Sequence, residues 1–114
     1  MKTIGALLVS AFALGGSTPA PARVQIVARE YSYALSRLHV KSGTAILELD
    51  NLGQDSHDLR VQRVGSKHVA KLGKVAPGAY ADLTLHLPPG RYLLWCSIAN
   101  HRKLGMHATL IVTR

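Results

Sequence analysis

A cysteine, a histidine and a methionine fall at even intervals near the end of the chain, where four residues separate Cys96 from His101 and four separate His101 from Met106. Cys96 is the only cysteine, and Met106 is the only methionine besides Met1. A thiolate, an imidazole and a thioether together suit copper, which cycles between a soft monovalent and a harder divalent ion, whereas zinc has little use for a thioether. The spacing therefore predicts that one loop carries three ligands of a copper ion.

A second imidazole is available on an earlier segment, Asn51–Leu59 (NLGQDSHDL), which contains His57. His57 follows a polar turn that includes Gly53 and precedes an alternating apolar stretch, so it lies on a connection between two strands. A trigonal copper site needs two imidazoles and one thiolate. His57 completes that set if its connection and the Cys96 loop lie at the same end of the fold.

Short segments with apolar residues at every second position must hold these side chains in place. The apolar faces are Leu38 and Val40; Leu47 and Leu49; Leu59 and Val61; Leu83, Leu85 and Leu87; Tyr92, Leu94 and Cys96; and Met106, Ala108, Leu110 and Val112. The segment Val24–Ala28 is predicted to be the first strand, and Ser66–Lys74 is either a loop or a short strand. No stretch has the apolar stripe of a helix. Seven or eight strands in this length predict an all-β fold, a β-sandwich.

The first 22 residues are predicted to be a secretory signal peptide. Lys2 gives a positive start, the run Ile4–Gly16 is uncharged and apolar, and Ala20 and Ala22 form an A-x-A cleavage pattern. The run has 16 − 3 = 13 residues, fewer than the roughly 20 that span a bilayer, which favours cleavage over retention as a tether. Cleavage after Ala22 leaves 114 − 22 = 92 residues, 23–114, as one domain, and the loss of Lys2 takes the net charge from +8 to +7. We expect export to the periplasm or the cell exterior.

The composition limits the function further. With 47% hydrophobic residues and a net charge of +8, the chain is suited to one folded core and not to disorder. The basic residues are dispersed along the chain, which disfavours nucleic-acid binding. Arg102 and Lys103 lie between His101 and Met106 and are candidates for docking an acidic redox partner. The remaining histidines are expected to be exposed to solvent: His39, His68, His86 and His107.

The ordered set of residues resembles the cupredoxins, the type 1 blue-copper proteins, and in particular their small plastocyanin- and azurin-like bacterial members. The resemblance covers nearly all of residues 23–114. It rests on N-x-G followed by a His, here Asn51, Gly53 and His57, and on Y-x-x-x-C-S-x-x-x-H-x-x-x-G-M, here Tyr92, Cys96, Ser97, His101, Gly105 and Met106. It implies a Greek-key β-sandwich that binds one type 1 copper ion, with His57, Cys96 and His101 as strong equatorial ligands and Met106 as the weak axial ligand.

Two positions depart from the commonest pattern of that family. Ala99 and Asn100 stand where Pro-Gly often precedes the loop histidine, and Asn100 is expected to adopt the left-handed backbone conformation that glycine supplies there. Asp58 follows the first histidine, where Asn is more frequent. Its carboxylate is expected to accept hydrogen bonds from the Cys96 loop, and its negative charge would favour the oxidised ion.

The resemblance implies an exported, monomeric electron-transfer protein with no stable membrane span, and not an enzyme. No His-x-His pair occurs, as the multicopper oxidases require, and one cysteine is too few for a binuclear purple-copper site. Nothing in the Ser or Thr content indicates a hydrolytic nucleophile with its base. A copper-binding or delivery protein without electron transfer is the alternative, and a metal-free adhesion module is a third. Because delivery sites tend to be exposed and rich in Met or His, the closed four-ligand set favours electron transfer.

Overall fold

Nine strands and one short helix make up the regular structure of residues 18–114, the part of the chain that this computed structural model describes. The strands are β1 (Ala22–Arg29), β2 (Ser32–Leu35), β3 (His39–Lys41), β4 (Gly43–Asn51), β5 (His57–Arg63), β6 (Val69–Val75), β7 (Tyr80–Leu87), β8 (Gly90–Trp95) and β9 (His107–Thr113). A single helical turn, α1 (His101–Leu104), lies between β8 and β9.

The strands form two mixed sheets. One has the order β2-β1-β4-β7, and the other has the order β3-β9-β8-β5-β6. Strand β1 pairs with β4 in parallel, as β3 does with β9. The other neighbouring strands are antiparallel. The prediction of an all-β sandwich is confirmed.

The core consists of the inward side chains of both sheets. In β4, Leu47 and Leu49 are fully buried, and the residues beside them are only partly buried. Leu59, Leu94 and Leu110 supply fully buried side chains from the other sheet. Each leucine buried in this way stabilises the fold by about 1.5–3 kcal/mol. The alternation read from the sequence thus marks the face that packs between the sheets.

Three short elements differ from the sequence-based expectation. The strand β2 was not expected, because only Tyr33 of its four residues is buried and one side chain makes no alternating pattern. The ambiguous segment Ser66–Lys74 contains most of β6. The single turn of α1 is too short for a helical stripe, so the sequence indicated a loop there. With β2 and β6 counted, the described residues contain nine strands, whereas the sequence predicted seven or eight.

The predicted signal peptide, residues 1–22, falls mainly on residues 1–17, which lie outside the described residues. Within the described range, Ala22 begins β1 and pairs with Ala45 of β4. No helix among residues 18–114 has the length and apolar character needed to cross a membrane. The histidines predicted to be exposed are exposed: His39, His68, His86 and His107.

Candidate metal centre

Three buried side chains meet at one end of the sandwich: His57 at the start of β5, Cys96 directly after β8, and His101 at the start of α1. One ligand atom each from His57, Cys96 and His101 lies within 4.8 Å of the other two. The Cys96 Sγ and His101 Nδ1 atoms are 3.5 Å apart, and the two imidazole centroids are 5.1 Å apart. The connections that carry His57 and Cys96 therefore lie at the same end of the fold, as a shared site requires.

The side chain of Asn51 shapes the connection that leads to His57. Its Oδ1 accepts a hydrogen bond from the Gly53 N–H at 2.9 Å, and its Nδ2 donates to the carbonyls of Asp55 at 2.8 Å and Val75 at 2.9 Å. Asn51 is fully buried, so these bonds satisfy groups that water cannot reach. They fold the polar turn back on itself and deliver His57 to the first position of β5.

His57 has one nitrogen engaged and one free. Its Nε2 lies 2.5 Å from the Oε2 atom of Glu30. Within residues 18–114, its Nδ1 is the one buried side-chain nitrogen or oxygen without a hydrogen-bond partner. A buried polar atom left unpaired costs free energy unless something else binds it. A metal ion bound at Nδ1 removes that cost, so the observed side chains fit a metal site.

His101 begins α1 and is only 6% exposed. The ring of Tyr31 covers it, with a centroid separation of 4.9 Å, and the Asp55 carboxylate lies 3.7 Å from its Nε2. Its Nδ1 is the atom that approaches Cys96. Each imidazole therefore has its Nε2 beside a carboxylate and its Nδ1 available for the site.

The reversal of the chain before His101 differs from the expectation. The residue with positive φ is Ala99, at 45°, and not Asn100, which has φ −103° and ψ 19°. The His101 N–H donates to the Ile98 carbonyl at 3.0 Å and closes a turn whose two central residues are Ala99 and Asn100. Positive φ at the first central residue and negative φ at the second are the signs that a type II′ turn has.

Cys96 is fully buried at the end of β8, and its thiol has a raised pKa because burial disfavours the thiolate. The next residue, Ser97, donates from its N–H to Asp58 Oδ1 at 2.7 Å and from its hydroxyl to Asp58 Oδ2 at 2.5 Å. The Arg60 guanidinium lies 3.2 Å from the same carboxylate. The expectation that Asp58 accepts hydrogen bonds from the Cys96 loop is confirmed.

Met106 is held against both of its neighbours in the motif. Its N–H donates to the His101 carbonyl at 3.0 Å, and its own carbonyl accepts from the Cys96 N–H at 3.1 Å. The side chain is fully buried. Cys96, His101 and Met106 thus form one hydrogen-bonded unit of backbone, and the soft thioether belongs to the same end of the fold.

The sequence reasoning missed Glu30 and Tyr31, which lie between β1 and β2. Glu30 contacts His57, and Tyr31 contacts His101 and donates from its hydroxyl to the Asp55 carboxylate at 3.3 Å. No local pattern marks them, since Glu30 and His57 are 27 positions apart in the sequence.

The chain matches a family profile described as a cupredoxin-like domain over residues 3–112. An auracyanin from the photosynthetic bacterium Roseiflexus castenholzii, reduced with dithionite, has a similar structure, with TM-score 0.69 and 17% identity over 84% of this chain and 100% of that one. Auracyanin A, described as a blue copper protein from the green thermophilic photosynthetic bacterium Chloroflexus aurantiacus, gives TM-score 0.65 and 15% identity over 82% of this chain and 100% of that one.

A multicopper oxidase shares the fold with TM-score 0.59 and 19% identity, over 79% of this chain and 41% of that one. At these identities, the solved structures establish the shared fold. None of the curated protein sequences matches the chain significantly.

Proposed function

This chain belongs to the cupredoxin family, and from that membership we propose that it is a type 1 copper protein that transfers single electrons between redox partners. The ligands are His57, Cys96, His101 and Met106. One observation carries the proposal: His57, whose buried Nδ1 has no hydrogen-bond partner, forms a cluster with Cys96 and His101. The mixed donor set of two imidazoles, a thiolate and a thioether suits copper better than other metals.

The surrounding residues hold the donors in one arrangement and exclude water. His57 and Cys96 are fully buried, and His101 is nearly so. Glu30 and Asp58 anchor the two connections that carry them. A bound copper ion supplies a one-electron couple, because it is stable as Cu(I) and as Cu(II). Ligands that cannot rearrange serve electron transfer, since little structural change accompanies a change of charge.

We infer that the protein is not an enzyme. The donor residues are buried, which disfavours access of a substrate to the metal, and residues 18–114 contain no second cluster of metal-binding side chains. The similarity to a multicopper oxidase spans less than half of that longer chain. Copper delivery without electron transfer is the second candidate function, and burial of the donors counts against it because delivery requires an accessible metal.

The test of the copper site is optical. Titration of the purified protein with Cu(II) should produce an intense visible band from thiolate-to-copper charge transfer, lost on reduction and regained on oxidation. The variant Cys96→Ser should lose the band, and His107→Ala, at an exposed histidine, should keep it. A colourless complex, or colour that survives Cys96→Ser, contradicts the proposal.

Electron transfer and copper delivery differ in two rates. For electron transfer we expect fast electron self-exchange and slow loss of copper to a competing chelator. Delivery predicts the opposite pair, slow exchange with rapid metal loss. Measurement of both rates on the same copper-loaded sample, by NMR line broadening and by chelator competition, separates the two functions.

We propose that an acidic redox partner docks near His101, Arg102 and Lys103. Arg102 and Lys103 are exposed on α1, and with His107 they line an open groove beside the metal end of the sandwich. The Arg102 guanidinium lies 4.3 Å from the ring centroid of Trp95, the residue before Cys96. Such a stacked guanidinium stays beside the strand that carries the thiolate.

Salt dependence tests the docking surface. Charge neutralisation in Arg102→Gln/Lys103→Gln should slow association with an acidic partner and weaken its dependence on ionic strength. The matched control is Lys71→Gln/Lys74→Gln, which removes two exposed charges from β6. If both double variants associate at the same rate, the docking surface lies elsewhere.

We further propose that the protein is exported, that residues 1–22 are removed, and that residues 23–114 act as a monomer in the periplasm or outside the cell. The support is the charge and apolar pattern of the first 22 residues, together with the small residues at Ala20 and Ala22. Cleavage after Ala22 removes only the first residue of β1. Mass spectrometry of the protein from an outer compartment should give the mass of residues 23–114, and the full-length mass would contradict cleavage.

A further inference from the structure

Glu30 reaches the site from a part of the chain that supplies no metal ligand. It lies between β1 and β2, and its Oε2 is 2.5 Å from Nε2 of His57, a hydrogen-bonding distance. The side chain of His57 is 0% exposed and that of Glu30 is 23% exposed, so the His57 side of the contact is shielded from water. A charge-assisted hydrogen bond of this kind is roughly twice as strong as one between neutral groups.

The carboxylate of Glu30 is fixed from its other side by backbone. The Gln54 N–H donates to Oε1 at 2.6 Å, and the Asp55 N–H lies 3.3 Å from Oε2. Gly53 leaves the space that the carboxylate occupies, because a Cβ at that position would overlap it. Both oxygens of Glu30 therefore accept hydrogen bonds from the backbone, which holds the group in place as a carboxylate.

An ionised carboxylate only accepts hydrogen bonds, so the His57 proton must sit on Nε2. This tautomer leaves the lone pair on Nδ1, the buried atom without a partner. A neutral imidazole could otherwise carry its proton on Nδ1 and be unable to bind a metal there. The contact with Glu30 thus decides which nitrogen of His57 carries the proton and which is free to bind a metal.

We propose that Glu30 is a positioning residue of the metal centre, which holds His57 as the Nε2-protonated tautomer and whose fixed negative charge favours the oxidised metal. The second half rests on the proposed copper function, and the first half does not. The oxidised site carries one more positive charge than the reduced site, so an adjacent anion stabilises it. Removal of that anion should raise the reduction potential. Outer residues that orient metal-bound histidines typically contribute about 10- to 100-fold to metal affinity.

Two substitutions separate the charge from the hydrogen bond. Glu30→Gln removes the charge and keeps an oxygen that accepts from His57 Nε2, and Glu30→Ala removes both. Glu48→Gln is the matched control, because it removes one carboxylate from the outward side of β4. The measurements are ¹⁵N NMR of the His57 ring in metal-free protein, the reduction potential and the Cu(II) affinity.

In metal-free wild-type protein and in Glu30→Gln we expect a protonated Nε2 and an unprotonated Nδ1. Glu30→Ala should give a mixture of tautomers and weaken Cu(II) binding by about 10- to 100-fold. Both Glu30 variants should raise the reduction potential, and Glu48→Gln should leave it near the wild-type value.

Two results would overturn the proposal. One is a wild-type His57 protonated on Nδ1, and the other is a pair of Glu30 variants whose potentials match that of Glu48→Gln. If Glu30→Ala does not fold, the potential and ring NMR of Glu30→Gln still decide the charge effect. Failure of the copper function is distinguishable, because the tautomer is read without metal: a correct tautomer with a colourless copper complex refutes the function and leaves the role of Glu30 toward His57 intact.

Discussion

Replacement of Asp58 by alanine should destabilise the metal-free protein more than loss of any exposed carboxylate. Asp58 is 3% exposed and accepts two hydrogen bonds from Ser97, at 2.7 and 2.5 Å. A hydrogen bond to a charged group contributes about 1.5–3 kcal/mol, so the two together contribute roughly 3–6 kcal/mol. The Arg60 guanidinium keeps contacts with the carbonyls of Leu59 and Leu72, both at 3.3 Å, which limits the cost of its lost partner. We expect a loss of about 3–5 kcal/mol from Asp58→Ala.

That loss is a large part of the free energy of unfolding of a typical domain, which is about 5–15 kcal/mol. In a domain of this size, a loss of about 1 kcal/mol lowers Tm by roughly 4–8 °C. Thermal and urea denaturation of the metal-free protein should therefore show Tm lowered by at least about 12 °C. Ser97→Ala removes only the hydroxyl bond and should cost about half as much. Copper should also dissociate faster from Asp58→Ala, because the residue after Cys96 loses its anchor.

Asp82→Ala is the control for this prediction. The Asp82 carboxylate is 4.0 Å from Arg23, and the two side chains are 41% and 60% exposed. Exposed pairs of this kind contribute at most about 1 kcal/mol. If Asp58→Ala and Asp82→Ala unfold at the same urea concentration, the bonds to Ser97 do not hold the Cys96 loop and the reasoning fails.

Three further variants test the geometry of the site. Ala99→Gly should stabilise the metal-free protein by about 0.5–1 kcal/mol, because glycine adopts the φ of 45° without steric cost, whereas Asn100→Gly should not stabilise it. Urea denaturation measures the stability of both variants. If Asn100→Gly stabilises the protein and Ala99→Gly does not, Asn100 is the residue with the left-handed conformation. Gly105→Ala should lower stability by about 1–3 kcal/mol, since φ is 132° and the new Cβ would lie 2.7 Å from the Tyr31 carbonyl oxygen; an unchanged Tm would exclude that contact. Tyr31→Ala should uncover the His101 ring and speed copper loss to a chelator, and Tyr31→Phe should not; equal rates for both variants would show that the ring gives no protection.

The part of the candidate site that depends on local spacing could be predicted from the sequence. Cys96, His101 and Met106 lie close together in the chain, and a turn of that length can bring them together only in a few ways. His57 was identified because its donor type completed the set, and period-two patterning placed it before a strand. Asp58 was predicted to accept hydrogen bonds from the Cys96 loop because it adjoins His57. Each inference used neighbours in sequence or a strand face, which the chain itself displays.

Other features depend on contacts that no local pattern encodes. Glu30 lies 27 residues from His57, and its role follows from the pairing of β1 with β4 and from the space left at Gly53. The positive φ falls on Ala99 and not on Asn100, in a turn that closes on the His101 N–H, and residue propensity does not reveal this placement. The strand β2 and the helix α1 have four residues each, too few for a periodic pattern.

Charge is distributed unevenly around the site, and two physical effects oppose each other there. The chain has six acidic residues, and three of them, Glu30, Asp55 and Asp58, lie beside the imidazoles or the Cys96 loop. Burial disfavours the more highly charged state, which is the oxidised one, whereas the three carboxylates favour it. Glu30 and Asp58 are fixed by backbone N–H groups, so they cannot turn away when the charge of the site changes. The two carboxylates therefore keep the same positions in both oxidation states of the proposed copper site. They stabilise the oxidised state more than the reduced one, which lowers the reduction potential without requiring structural rearrangement.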